Sequence, residues 1–401
     1  MLELEDARQR ILAALPTPTA ERVSLREACH RVLSENISSP VDLPPFDNSA
    51  MDGYAVRLAD VASAKPASPV NLRVVGRVVA GEDFSGELTG GDCVRVFTGS
   101  PLPAGTEAVV MQEDTRTEAT RPGEVLILDS ARPGENLRRS GQDVSRGASL
   151  AKRGDLLTPG KIALLAATGI AEVSVGRRPV VGLLATGSEL REAGETLSTG
   201  QIYDSNRSAL APLVKRAGAL PNIFPLVPDT LDDTRAELER AFGESDVVVT
   251  SGGVSVGEMD FMKSAFGLMG GELQFWKVAI RPGKPFVFGR VGEKFWFGLP
   301  GNPVSALVTF LLLVRCALLR WQGASDVALS SHPGVLAENL GNPGDRRHFM
   351  RVRVDASGKI FSAGRQASHA LASFADANGL VDVPPQTTLA TGATVQVIRW
   401  D

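Results

Sequence analysis

From Arg178 to Trp321 the sequence switches repeatedly between short apolar runs and segments of helical periodicity. "RPVVGLLAT" reads as a buried strand, "SALAPLVKRAGA" as a helix and "PNIFPLVPD" as a further extended segment. "LDDTRAELERAFG" is helical with Asp232 or Asp233 near its start, "DVVVT" is a strand, and "EMDFMKSAFGLM" is a helix. "KPFVFGR" and "EKFWFGL" read as a hairpin, and "NPVSALVTFLLLVRCALLRW" as a long buried helix. Short apolar strands alternating with helices predict a parallel sheet with helices on both faces.

The flanks have a different rhythm. Residues 1–35 look helical, with an apolar stripe along "EDARQRILAAL". Residues 36–145 are divided into short β-like runs ("NLRVVGRVVAG", "GDCVRVFTG", "EAVVMQE", "EVLILD") by Gly and Pro turns. "LTPGKIALLAATGI" brings a helix back with Pro159 in its first turn. Residues 325–401 return to short strands and read as a small β-barrel. The expected fold class is multidomain α/β plus β. Residues 1–26 and 144–178 are assigned to a helical, elongated region and 27–143 to a small β domain. Residues 179–324 form a three-layer α/β domain and 325–401 the barrel.

A formal net charge of −4 argues against broad attraction to nucleic acid. Cys29, Cys93 and Cys316 have no metal-ligand spacing and read as free thiols of a reducing compartment. The N-terminal stretch is acidic and periodic, unlike a secretory signal. The longest apolar run, Val304 to Val314, stops at Arg315, short of the roughly 20 residues a bilayer span takes. These points lead to the expectation of a cytoplasmic protein with neither membrane nor nucleic acid as partner.

In an open α/β sheet, ligands bind beyond the carboxyl ends of the strands. Five polar, Gly- and Pro-rich turns are expected on that rim: "TGSEL", "VPDT", "TSGGVSVGEMD", "RPGKP" and "LPGNPVSA". Gly252, Gly253 and the "PGNP" turn offer backbone N–H groups to an anion, Asn302 suits a helix cap, and Ser255 and Ser305 add hydroxyls. Glu189, Asp229 and Asp260 are acidic, and carboxylates beside phosphates need a cation between them, a task that suits Mg²⁺. A helix-dipole or capping role is the alternative for Asp260; Glu258 reads as a first-turn charge. Lys277, Arg281 and Lys284 concentrate positive charge, and the last two straddle a Pro-Gly turn; they either converge on one oxyanion or lie on a solvated turn. "FDNSAMDGYAV" carries more polar residues than a hairpin needs. Arg138 and Arg139 either bind phosphate or pair with acids. His30, His332, His348 and His369 have no liganding pattern and read as solvated or satisfied.

Taken together and in order, "FDNSAMDGYAV", "FTGSPLPAG", "NLRRSGQDV", "ATGSEL", "TSGGVSVGEMD", "KVAIRPGKPF" and "GLPGNPVSA" closely resemble the molybdopterin molybdenumtransferase family. That family includes bacterial MoeA and the E domains of gephyrin and its plant counterpart. The resemblance spans nearly the whole chain. It implies an elongated homodimer of four-domain subunits whose α/β, molybdopterin-binding domain is similar to the adenylyltransferase MogA. It implies a reaction in which adenylyl-molybdopterin and molybdate are substrates. The adenylyl bond is cleaved with Mg²⁺, molybdenum goes onto the dithiolene, and AMP leaves. Carried over by motif, Asp52, Asp229, Asp260 and Glu189 are the catalytic candidates, the last three also on the metal. Thr98, Asp143, Gly252, Gly253, Ser255, Lys277 and Ser368 would bind the substrate. Arg281, Lys284, Ser305 and Arg346, with Ser255, would hold molybdate. Transient contact with a MogA-like adenylyltransferase and with molybdoenzyme chaperones is implied as well.

Two departures stand out: Arg281 where many relatives have Lys, and His348 where an acid is common and could orient Arg346. Two other functions fit parts of the pattern. A molybdopterin adenylyltransferase would share the α/β domain without requiring the "FDNSAMDGYAV" region or the barrel. A gephyrin-type scaffold would use the same fold to anchor a partner, and the sequence offers no extra domain or long linker for it.

Overall fold

The computed structural model describes residues 1–253 and 261–400. The chain divides into two compact units, one of residues 36–152 and 159–172, the other of residues 1–35, 153–158 and 173–401.

The first unit is built on a six-stranded sheet in the order Ala108–Met111, Gly53–Val56, Asp92–Val96, Val70–Val78, Glu124–Ile127, Thr115–Arg116. Alternation decides its packing. Tyr54, Val56, Cys93 and Val110 point into one apolar cluster, while Ala55, Val94, Val96 and Val109 fill another. Gly53 is required where it stands: a Cβ there would lie 2.1 Å from the Val110 carbonyl oxygen.

The second unit holds the α/β body. Its strands are β1 (Val180–Thr186), β2 (Leu220–Val227), β3 (Val247–Ser251), β4 (Glu272–Trp276), β5 (Ile280–Arg281), β6 (Val287–Val291) and β7 (Lys294–Leu299). All but β5 form one sheet in the order β2-β1-β3-β7-β6-β4. The first four are parallel; β6 runs against them because a tight hairpin joins it to β7, and β4 pairs antiparallel with β6 at the edge. Period-two patterning buries both faces. Val181, Leu183, Val247, Val249, Phe295 and Phe297 face one core, and Leu184, Val248 and Trp296 the other.

Helix α1 (Leu4–Ala14) buries Leu4, Ala7 and Ile11 in the first of these cores, an i, i+3, i+7 stripe. Helix α2 (Asn206–Arg216) adds Leu210 and Val214 on the same side. Helices α3 (Leu231–Glu244) and α4 (Phe261–Leu268) cover the opposite face. Thr230, not an aspartate, caps α3: its hydroxyl oxygen accepts from the Asp233 N–H at 3.1 Å, and Asp232 and Asp233 lie in the first turn. The last helix is longer than its apolar run suggested. Pro303–Trp321 is continuous over 19 residues, long and apolar enough by length and composition to cross a membrane. Yet 83% of the tested window is buried in the protein, so it is a core helix. Arg315 does not end it because its guanidinium turns out to the Val327 and Ala328 carbonyls, at 3.1 and 3.2 Å.

The C-terminal region closes a sheet. Strands β8 (Ser331–Leu336), β9 (Arg347–Val354), β10 (Lys359–Ser362), β11 (Gly379–Val383) and β12 (Thr394–Ile398) follow the order β9-β10-β8-β12-β11, and β11 pairs back onto β9. Strand β5 joins this sheet rather than the α/β sheet. It pairs in parallel with β9, Ile280 opposite Arg347 and Arg281 opposite His348.

The amino edge of the α/β sheet is fixed by Asp246. Its carboxylate accepts two bonds from Arg177, at 3.0 and 2.9 Å, and one from the Val180 N–H at 2.8 Å. Burial acts to raise its pKa, but the Arg177 and Val180 hydrogen bonds and the Arg177 and Lys294 charges prevail and hold it below the usual carboxylate range. A carboxyl with a depressed folded-state pKa stabilises the fold above its unfolded value, and that stability disappears as pH falls through the folded value. Asp246→Asn is therefore expected to cost about 1–3 kcal/mol at neutral pH in a urea titration. The gap between the two proteins should narrow as the titration is repeated at progressively acid pH.

Candidate functional site

Because β1, β2, β3 and β7 are parallel and in register, their carboxyl ends finish on one edge. Four of the polar turns expected there occupy it. The β1 and β2 turns are tied reciprocally: the Ser188 N–H donates to Asp229 Oδ2 at 3.1 Å, and the Asp229 N–H donates to Ser188 Oγ at 3.1 Å. The β3 and β7 turns touch directly. Gly252 has φ +90°, and a Cβ on it would lie 2.9 Å from the Thr186 carbonyl oxygen; a Cβ on Gly301 would lie 3.6 Å from the Gly252 Cα. Only glycine permits that approach with that backbone. The Gly252 N–H is not free for an anion, as expected from the turn alone, because it donates to the Leu299 carbonyl at 3.2 Å.

A residue that sequence reasoning passed over locks these turns. Asn206, at the start of α2, donates from Nδ2 to Ser251 Oγ at 2.6 Å and to the Gly301 carbonyl at 2.8 Å. Its Oδ1 is buried without a partner. Beside it, Asp204 and Arg207 form a buried pair at 2.6 Å, and Arg207 also reaches the Phe224 carbonyl and Glu192. The signal was present in "YDSNR", a polar cluster that opens an otherwise apolar helix.

Among the carboxylates, Asp229 is half-buried and Glu189 exposed. Asp229 commits Oδ2 to Ser188, and among the described residues its Oδ1 has no hydrogen-bond partner. Glu189 folds back over Gly187, where a Cβ would lie 2.6 Å from its Oε2. Ser255, Glu258 and Asp260 lie outside the described residues. Among the described residues no three His, Cys, Asp or Glu side chains form a metal cage. The donor set that is present, one or two carboxylates on an edge, suits a cation such as Mg²⁺ that completes its shell with phosphate oxygens and water.

The cations are organised by the Pro-Gly turn. Gly283, at φ +109°, packs so tightly that a Cβ would lie 2.3 Å from Thr309 Cγ2 in the last helix. That helix begins at Pro303 and carries Ser305, which is 3% exposed. Arg281 and Lys284 flank the turn, both exposed. Arg346 joins them from the barrel, its Nη1 donating to the Ile280 carbonyl at 3.0 Å. With no acid at position 348, this carbonyl, with Asp345 at 3.4 Å, is what orients it. The Ser368 carbonyl accepts from the Val304 N–H at 3.1 Å, which sets the Ser368 loop on the same helix start. Asn302 stands at the cap position, but its side chain makes no capping bond. Lys277 has φ +77° and places its ammonium 4.2 Å from the Trp276 ring centre, a cation–π contact. His348 is 2% exposed with both ring nitrogens unpartnered, so the expectation that the histidines are solvated or satisfied fails for this one.

In the other unit, Asp52 and Thr98 meet. Asp52 Oδ1 accepts from the Thr98 N–H at 2.8 Å and from its hydroxyl at 2.9 Å. Those bonds, backbone first, hold the Asp52 carboxyl below its ordinary range, with Arg95 adding to them against the effect of burial. Arg139 pairs with Asp47 at 2.6 Å. Asp143 is exposed.

Three family models cover most of the chain: "MoeA N-terminal region (domain I and II)" at residues 2–169, "Probable molybdopterin binding domain" at 182–320 and "MoeA C-terminal region (domain IV)" at 333–400. The chain is 39% identical to a molybdopterin molybdenumtransferase of Haemophilus influenzae, over 99% of this chain and 98% of that one. It is 40% identical to molybdopterin molybdenumtransferase 2 of Mycobacterium tuberculosis, over 94% of each. A crystal structure of the molybdopterin biosynthesis MoeA protein from Pyrococcus horikoshii superposes with a TM-score of 0.84 at 30% identity, covering 100% of both chains.

The Asn206 bridge gives a direct test. Asn206→Ala leaves the Ser251 hydroxyl and the Gly301 carbonyl short of a donor, and should lower stability by about 1–3 kcal/mol in a denaturant titration. Asn206→Asp puts a buried carboxylate against the Gly301 carbonyl, which can only accept, so it should be no more stable than the alanine variant even if the Ser251 hydroxyl turns to donate to it. An aspartate that restored stability would mean the amide is held the other way round.

Proposed function

This chain belongs to the molybdopterin molybdenumtransferase family, and on that premise we propose how its residues divide the work. The reaction inserts molybdenum from molybdate into adenylylated molybdopterin, cleaves the adenylyl bond, and releases AMP with the finished molybdenum cofactor. The observation that carries the reading is the pairing, within one unit, of an acidic strand-end rim with a cationic turn braced on the Ser305 helix.

On this reading the rim receives the substrate's phosphates. Asp229 and Glu189, with Asp260, would hold Mg²⁺, which when bound supplies the positive charge that lets carboxylates and phosphates share the edge. The Ser188 bond fixes the Asp229 carboxylate in advance, so it need not be ordered when substrate arrives. Gly252 and Gly253 let the substrate approach the backbone closely, and Lys277 and Ser368 contact it from the flanks. Arg281, Lys284, Ser305 and Arg346 take molybdate, with Ser255 as a further donor. Guanidinium forks and a lysine point charge are suited to a small tetrahedral dianion. The protein acts as a cytoplasmic homodimer of four-domain subunits. Asp52, held ready by Thr98, and Asp143 act on substrate bound by the partner protomer.

Two measurements test this assignment. Lys284→Met removes charge and keeps most of the apolar stem. It should raise the molybdate concentration for half-maximal insertion by about tenfold or more, as expected for loss of a charge-assisted bond, while affinity for adenylyl-molybdopterin changes little. If it abolishes nucleotide binding instead, the turn is a phosphate clamp. For the shared site, inactive Asp52→Ala and inactive Asp229→Ala subunits are mixed and their heterodimers isolated. Recovery of part of the activity is expected, and heterodimers that stay inactive rule the shared site out.

A further inference from the structure

The six-stranded sheet of the first unit contains one residue more than its pairing needs. Val70–Val78 runs parallel to Asp92–Val96 with Val74 opposite Cys93 and Gly76 opposite Val94, so Val75 has no partner in that ladder. A bulge of this kind re-aims the side chains beyond it. Leu72 and Val74 pack with Tyr54 and Cys93, whereas Val78 packs with Val94 and Val96 in the other cluster. The residue most affected is Arg77. Regular pairing would set Gly76 beside Arg95 and send Arg77 to the opposite face; the bulge sets Arg77 directly opposite Arg95 instead. Tyr54 pairs with Arg95 from the other side, so Tyr54, Arg95 and Arg77 stand level across three neighbouring strands.

Like charges directly opposite one another destabilise a sheet, and among the described residues no acid pairs with either arginine. Arg77 makes no hydrogen bond among them; its contact is with an aromatic ring. Arg95 donates to neutral oxygens, Gln112 Oε1 at 2.5 Å and the Gly53 carbonyl at 3.4 Å. Arg73, before the bulge, shows the ordinary arrangement: it pairs with Asp92 at 2.8 Å. The guanidinium carbons of Arg77 and Arg95 both lie 5.0 Å from the centre of the Phe97 ring, and that of Arg95 lies 5.0 Å from the centre of the Tyr54 ring. Cation–π contacts hold the two head groups without neutralising them. Asp52 and Thr98 adjoin this strip. Thr98 follows Phe97 in the chain, and the Asp52 carbonyl accepts from the Gln112 N–H at 3.0 Å. The charge of Arg95 bears on the Asp52 carboxyl.

We propose that Arg95 and Arg77 are substrate-binding residues whose guanidinium groups, carried on the Phe97 ring, take a phosphate group of adenylyl-molybdopterin and present it beside Asp52. An anion shared by two guanidinium groups turns their mutual repulsion into a common attraction, and planar donor forks match phosphate oxygens. The bulge supplies the second fork, at some cost to the stability of the empty sheet. The inference rests on the reading that Asp52 acts on substrate held by the partner protomer. Arg95 and Arg77 then serve the same substrate molecule as the Asp52 of their own chain.

Arg77 is exposed, so its variants carry the test even where replacing Arg95 disturbs the packing of Tyr54. Arg77→Glu should raise the KM for adenylyl-molybdopterin by about tenfold or more, and Arg77→Lys by about threefold or less. The molybdate concentration for half-maximal insertion should change little in either. Melting temperature is measured alongside, because a purely structural arginine would give the opposite signature. Arg77→Gln removes the like-charge pair and should melt no lower than the parent. An unmoved KM in Arg77→Glu overturns the proposal, as does an Arg77→Gln protein that loses stability and keeps its substrate affinity. Placement is tested by adding Arg77→Glu to one member of the Asp52→Ala and Asp229→Ala heterodimer. It should raise the KM when it shares a chain with the intact Asp52 and be silent on the Asp52→Ala chain; the reverse result overturns the proposal. Heterodimers that are inactive even without Arg77→Glu overturn the shared site, and the KM of the Arg77→Glu homodimer still decides whether the strip binds substrate.

Discussion

Parallel pairing of β3 with both β1 and β7 is the constraint from which the site follows. It brings Ser251 level with Ala185 on one side and Leu299 on the other. Three chains then leave the sheet at the same height, and their turns have to share a small space. Gly252 meets that demand by lacking a side chain, and Asn206 ties the turns with one amide group. The apolar content of the strands fills both cores, and polar side chains collect at the strand-end edge, where the buried ones, such as Asn206 and Asp204, are hydrogen-bonded. Folding of the core and construction of the rim are thus one event.

A second constraint ties the barrel to this body. Ile280 and Arg281 leave the α/β segment and pair with β9 of the C-terminal sheet. That single short strand brings Arg346, His348 and Arg351 beside a turn that lies more than sixty residues earlier in the chain. The Ser368 carbonyl bond to Val304 makes a further tie to the same helix. Two regions with different folding patterns therefore contribute to one cationic seat. Neither could assemble it alone, because the arginines would repel one another without the hydrogen bonds that each region supplies.

The α/β layer was legible in the sequence because period-two and helical patterns are local. The hairpin, the helices and the polar turns could be read from runs of a few residues, whereas the edge strand β4 (Glu272–Trp276) went unread. What escaped were relations between distant residues. "KVAIRPGKPF" reads as a turn before a hairpin, and nothing in it announces that Ile280 and Arg281 pair with Arg347 and His348. Asn206 was passed over because its partners, Ser251 and Gly301, lie 45 and 95 positions away. Asn302 misled in the opposite direction, since its type and position suit a cap that its side chain does not make. His348 was misjudged because sequence gives composition but not burial: a histidine between Arg347 and Phe349 gives no sign that its ring is buried with both nitrogens unpartnered.

Two groups of like charge stand apart in this unit. Asp229 and Glu189 sit on the strand-end rim, while Arg281, Lys284, Arg346 and Arg351 gather where the barrel meets the Ser305 helix. Had they been interleaved, they would neutralise one another in short ion pairs, as Arg177 and Asp246 do at the opposite edge of the sheet. That edge is stable and chemically inert. Among the described residues Arg351 has no carboxylate partner: its buried head group meets only Ser373 Oγ and two carbonyls. Any ligand bound only to the folded state would stabilise the protein as it loads, and under the proposed function that holds for a cation at the rim as for an oxyanion at the cationic turn.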